Sequence, residues 1–366
     1  MLEAFFVRMA CQSYIEIDET FDLLTLSATE QTDFSLLSKL FEELKTISPR
    51  DKFELIIEIG GNTTAISGCH ITDKVNLESH IEKYSDNEDY EFTLTINKLV
   101  DRKTCSIYFL GKFSIFIEKQ SIYSLFSSFS ARIDGIIHFE VFSTIETFGS
   151  QSIVFFDSSD GLERQIDIDT ITIRDEKLEE ILNNSSLTNS PKNLVPEDFL
   201  LKSPSTFFGI DDCFSRLNSV LSLIFIASAS EIDKDGTFSY KIFGYKCLSS
   251  DNVDINALAM HQPNLYLIYD WAFSGGSRSD KLGLIRNILT IHLNDNGDPL
   301  FDSDVLDAIK SSYQIYLKDN VNSYLETKNK IGEIIIESIA KTAAMADELA
   351  QSFKSNKNEG QTGIKP

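Results

Sequence analysis

The stretch DVLDAIKSSYQIYLKDNVNSYLETKNKIGEIIIESIAKTAAMADELAQSF, residues 304–353, contains no proline and one glycine, Gly332. Its apolar residues fall at steps of three and four: Leu306, Ile309, Tyr313, Leu317, Val321, Tyr324, Ile331, Ile335, Met345, Leu349. That spacing puts them on one face of a helix. Fifty residues at 1.5 Å each give a helix of roughly 75 Å, longer than one domain core covers. Part of this helix must therefore pack on another helix, another chain or a surface. A strict coiled-coil seam would place apolar residues where Lys328, Ser338 and Thr342 stand, so the seam is imperfect. The reading is a long terminal helix over 303–354 followed by a polar, disordered tail, 355–366.

Outward from that helix, the chain is globular. It has 366 residues, 42% of them hydrophobic, and 27 phenylalanines, enough for substantial cores. Its 56 acidic residues outnumber 33 basic ones, for a formal net charge of −23. Such a surface repels a phosphate backbone unless the bases cluster, and they do so only weakly between Lys354 and Lys365, so direct nucleic-acid binding is not expected. Cys11, Cys69, Cys105, Cys213 and Cys247 are scattered, odd in number and without a CxxC pair, which fits reduced thiols in a cytoplasm. The N-terminus lacks the charge and apolar run of a signal peptide. The longest apolar stretch, 217–229, falls short of the roughly twenty residues of a membrane span and reads as a buried helix, so any membrane contact would run through a partner.

The N-terminal part, 1–182, reads as β-rich: 53–59, 90–97, 104–110, 112–118, 136–142, 152–156 and 166–173 are predicted strands of an antiparallel or mixed sheet. One helix is predicted over 32–47, capped by Thr32. The stretch 183–204, with NNSSLTNSPKN and two further prolines, reads as a linker or long exposed loop. Beyond it, 205–302 reads as helical with one hairpin turning at Gly236: helices capped by Asp211 or Asp212 and by Ser279, a short helix over 255–261, and one over 265–273. The fold class is therefore α+β, a β-rich domain followed by a mainly helical one ending in the long helix.

No motif specifies a reaction. Gly60-Gly61 lacks the lysine and spacing of a phosphate loop and reads as a hairpin turn. Gly275-Gly276 reads as an interhelical turn, and Asp235-Gly236 as a type I′ turn rather than a calcium loop. The five histidines show neither HExxH nor HxH spacing, and GxSxG is absent. Asp167 and Asp169 share a strand face, which a solvated surface explains. Neither a metal nor a cofactor is expected. One polar set stands apart: Arg216, Asp270, Arg286 and His292 lie on apolar helices. A buried charge needs a partner, so Arg286 or Arg216 is expected to meet Asp270, as an ion pair or as a small-anion site. The functional expectation is a cytoplasmic binding protein that joins an assembly through 321–349, with Leu317, Val321, Tyr324, Ile331, Ile335, Met345 and Leu349 as interface. The alternatives are a hydrolase or nuclease with a dispersed site, or a membrane-adjacent effector on a helical stalk.

Overall fold

The computed structural model describes residues 15–84, 89–101, 103–133, 135–160, 174, 178, 186–188, 193–294 and 298–361, with backbone alone at 30, 186–188 and 353–361. The first sheet is antiparallel throughout. Its order is β1 (Ile15–Glu19), β2 (Leu23–Gln31), β5 (Tyr90–Asn97), β3 (Lys52–Ile59), β4 (Asn62–Ile66). Period-two alternation decides its faces: in β3, Leu55, Ile57 and Ile59 are buried while Lys52, Glu54 and Ile56 are exposed. Helix α1 (Ser35–Leu44) lays Leu37, Leu40, Phe41 and Leu44 into the same core, and α2 (Ile71–Tyr84) adds Leu77. Gly60 and Gly61, at φ +52° and +79°, make the two-residue turn of the β3–β4 hairpin.

The remaining N-terminal strands form a second sheet. β6 (Thr104–Ile107), β7 (Ile137–Val141) and β9 (Ile153–Asp157) are parallel, and β8 (Phe148–Gly149) runs antiparallel to β9. Between β6 and β7 run α3 (Leu110–Lys119) and α4 (Ile122–Ser130). The strand expected at 112–118 is thus the helix α3, because Leu110, Phe113 and Ile117, three and four apart, form its buried face. The described residues of this half include the four helices α1 to α4, where one was expected.

A third sheet, β10 (Ser186–Thr188), β11 (Ala229–Ile232), β12 (Phe238–Phe243) and β13 (Cys247–Ser250), accompanies α5 (Phe208–Ile226), α6 (Ile255–Ala259), α7 (Gln262–Phe273) and α8 (Arg278–Leu289). Helix starts differ from expectation. Asp211 lies inside α5 and accepts from Ser205 N instead (2.8 Å), and α8 begins at Arg278, before Ser279. Asp33, not Thr32, bonds the start of α1, through Ser35 N (3.0 Å).

The exposed linker expected at 183–204 is partly a core segment. Leu194, Val195, Asp198 and Phe199 are buried, and Phe199 packs edge-on against Phe129 (5.2 Å) and Phe214 (5.6 Å). Asp198 accepts from Arg174 Nε (2.9 Å), Arg174 Nη2 (2.8 Å) and Val195 N (2.9 Å). The chain through Leu306 forms one compact unit and the chain from Asp307 a second. The last helix, α9 (Ser303–Gln361), runs past residue 354, where the sequence reading ended it. The strand expected at 166–173, the paired Asp167 and Asp169, Cys11 and residues 362–366 lie outside the described residues.

Candidate functional site

Helix α9 starts on a cap: Asp302 Oδ1 accepts the backbone N–H of Val305 (2.9 Å). Val305, Leu306 and Ile309 are buried. From Leu317 to Ser352 every residue except Gly332 is exposed. All seven apolar residues singled out in the sequence face solvent there, from Leu317 at 39% to Tyr324 at 66% and Met345 at 65%. Their spacing keeps them on one arc. Glu326, Lys330, Glu333, Glu337, Lys341 and Glu348 occupy the opposite arc, where Lys341 Nζ meets Glu337 Oε1 at 2.7 Å.

Sequence reasoning missed part of this face. Ile334, Ile335, Ser338, Ile339, Thr342, Ala343 and Ala346 line a shallow groove of about 530 Å³ along the helix. The i, i+4 step from Ile335 to Ile339 and from Thr342 to Ala346 is the signal that could have found it. Thr342 is less polar than its type suggests. Its hydroxyl donates to Ser338 O (2.8 Å), so the helix itself satisfies it.

The four polar residues of the helical region do not converge. Arg286 donates from Nε to Ile226 O (2.8 Å) and from Nη2 to Ala227 O (2.9 Å). It therefore caps the C-terminal carbonyls of α5 rather than binding Asp270. Burial lowers its pKa, without bringing a guanidinium near neutrality. Arg216 pairs along its own helix with Asp212 (2.9 Å) and reaches Glu118 O (3.2 Å). His292 N donates to Ile288 O (3.0 Å) just past the end of α8. In place of the interhelical pair and the two-arginine anion site, Arg286 holds backbone carbonyls at the end of α5, and Arg216 pairs with Asp212 and reaches Glu118 O.

The densest polar assembly had no sequence signal. Glu19, buried at the end of β1, accepts from Lys98 Nζ (2.5 Å), Tyr108 N (2.8 Å) and Phe109 N (2.5 Å). The last two are N–H groups at the start of α3, so one carboxylate joins the first sheet to the helix that follows β6 of the second. Asp51 accepts from Tyr108 Oη (2.6 Å) and Leu99 N (2.9 Å). Burial, then the Asp51 charge, pushes the Tyr108 phenol well above its ordinary pKa. Arg50 donates to Ser106 Oγ (2.6 Å) and to Glu140.

Beside this seam, at the carboxyl ends of β7 and β9, opens a crevice of about 790 Å³ that includes Lys45, Arg50, Asp101, Glu140 and Ser159. Burial works to raise the Asp157 pKa, but hydrogen bonds from Ser159 N (2.8 Å) and Oγ (2.7 Å) outweigh it and leave the pKa lowered. A lysine and two carboxylates therefore share one crevice. Lys45 is engaged by Glu42, however, and Glu140 by Arg50. Among the described residues no group of three or more His, Cys, Asp or Glu could hold a metal ion.

No protein-family model, curated protein or solved structure matches this chain. Among the described residues, no helix is long and apolar enough to cross a membrane.

Proposed function

We propose that this protein is a binding and interaction protein, a cytoplasmic component of a larger assembly that it enters through α9. The observation that carries the reading is the exposed apolar arc from Leu317 to Leu349. At 1.5 Å per residue it is about 48 Å long, and a stripe about 10 Å wide covers roughly 480 Å². A patch of that size matches the largest on a typical monomer, and such patches often serve in binding. The polar arc opposite, with acidic residues ahead of basic ones, favours a protein over an anionic lipid surface, which calls for Lys and Arg. The acidic chain as a whole supports a partner other than nucleic acid. The hydrolase reading draws on the crevice, but its lysine and Glu140 are already in ion pairs.

Sedimentation of extracts from the native host tests the proposal. The chain should travel in a particle larger than its monomer, and the doubly substituted Ile335→Asp, Ile339→Asp chain should travel as a 41.3 kDa monomer. Identical monomeric sedimentation of both would refute it.

A further inference from the structure

We propose that α9 pairs with α9 of a second copy of this chain, the two helices running antiparallel; the inference rests on the assembly reading above. Three features of the helix point to that occupant and that direction.

The first is charge. Residues 307–330 carry four lysines against three acids, whereas 331–352 carry one lysine against four acids. The halves are oppositely charged, at +1 and −3 by that count. Antiparallel pairing sets each half beside its opposite. Parallel pairing sets −3 beside −3, and like charges along a helix pair select against that arrangement.

The second is size. The face of the first half is built of large side chains, Tyr313, Leu317, Val321 and Tyr324. The second half carries a groove lined by Ile334, Ile335 and Ile339 together with the small residues Ser338, Thr342, Ala343 and Ala346. With the face centred on residue 333, Tyr324 of one copy comes opposite Thr342 of the other only if the helices run in opposite directions, and a large side chain set against a small one is what dense packing requires. The bond from Thr342 to Ser338 O leaves no donor at that hydroxyl for a partner to satisfy. The departure from a coiled-coil seam at Thr342 thus becomes a socket of the interface, with Tyr324 of the other copy opposite it.

The third is area. Two stripes of roughly 480 Å² bury about 1,000 Å² in total, the threshold of a specific interface. The pairing is therefore reversible, with dissociation in the micromolar range rather than the nanomolar.

Pulsed dipolar spectroscopy on the full chain tests both copy and direction. Spin labels go at Glu333→Cys, level with the midpoint of the face but on the polar arc, or at Gln351→Cys, level with its end and on the same polar arc, both solvent-exposed. The background carries Cys11→Ser, Cys69→Ser and Cys247→Ser; Cys105 and Cys213 are buried and stay. Antiparallel pairing gives a short distance, under about 35 Å, at 333 from two helix axes about 10 Å apart with labels on their outer sides, and a long one, roughly 55–60 Å, at 351 from the 1.5 Å rise on either side of the centre. Two short distances would mean a parallel pair; this overturns the inference but leaves the assembly reading standing. No dipolar signal at 100 μM would mean no self-pairing, and the inference falls while extract sedimentation still judges the assembly.

Discussion

Replacing Glu19 by glutamine probes the seam where it is most sensitive. Glu19 and Lys98 have side chains with no solvent exposure, and their contact is 2.5 Å. Removing the charge leaves the Lys98 ammonium with Thr20 O as its remaining described acceptor (2.8 Å). Stranding one member of a buried pair costs about 3–5 kcal/mol. The amide oxygen still accepts from Tyr108 N or Phe109 N, but the second N–H loses its acceptor, adding about 1 kcal/mol. The expected loss is about 4–6 kcal/mol, a large share of the roughly 5–15 kcal/mol that holds a protein together. With a urea m-value of roughly 3 kcal/mol/M, the midpoint falls by about 1.3–2 M. The assay is a urea titration followed by far-ultraviolet circular dichroism and by Trp271, the single tryptophan, which lies in α7. Both signals should shift together, because the chain through Leu306 is one compact unit. A second substitution, Lys98→Met, should recover most of the loss. A dichroism midpoint that moves by less than 0.3 M (under about 1 kcal/mol) would refute the reasoning. Movement of dichroism without Trp271 would instead revive two independent domains divided near 183–204.

Two other predictions are independent of α9. Arg286→Ala should cost about 2–4 kcal/mol in the same titration, since two carbonyls at the end of α5 lose their donor; Arg286→Lys should recover only part, and a loss below about 0.5 kcal/mol would show that water replaces the guanidinium without cost. Burial pushes the thiols of Cys105 and Cys213 up, to about 11 and about 12. Their stabilising contribution is fully present below the unfolded thiol pKa of about 8.5 and is lost as pH rises through 11 to 12. Site-resolved alkylation at pH 8 should label exposed Cys247 quickly and Cys105 and Cys213 only as the protein unfolds. Fast labelling of Cys213 would contradict its burial.

The elements legible in the sequence are those with one strong period. β3, β5 and β12 alternate cleanly, and α9 repeats at three and four residues over most of its length. The misread helix carried two periods at once. In α3, Phe113, Ile115 and Ile117 alternate like a strand, while Leu110, Phe113 and Ile117 step like a helix. Tertiary packing chose the helix and left Ile115 exposed. Helix α2 buried only Leu77 and so offered no stripe to read. The buried part of the expected linker had the opposite problem: its polar composition hid Asp198, which is buried because Arg174 and the Val195 N–H satisfy it.

The polar contacts were illegible for a different reason. Glu19 and Lys98 are 79 residues apart, and nothing in either neighbourhood names the other. For Arg286 the reasoning that a buried charge needs a partner was sound, but it assumed a carboxylate. The partners are the carbonyls of Ile226 and Ala227, and a carbonyl belongs to every residue alike, so no side-chain pattern announces it. Helix ends supply such acceptors wherever α-helical hydrogen bonding runs out. A buried arginine on an apolar helix is therefore as well explained by the end of a neighbouring helix as by an acid, and only the carboxylate hypothesis implies a ligand site when the acid is missing. That asymmetry moves the functional weight in this chain from the arginines to α9. The arginines have internal partners for their guanidinium groups. The apolar arc from Leu317 to Leu349 is solvent-exposed along its whole length, and water is the least favourable neighbour an apolar face can have.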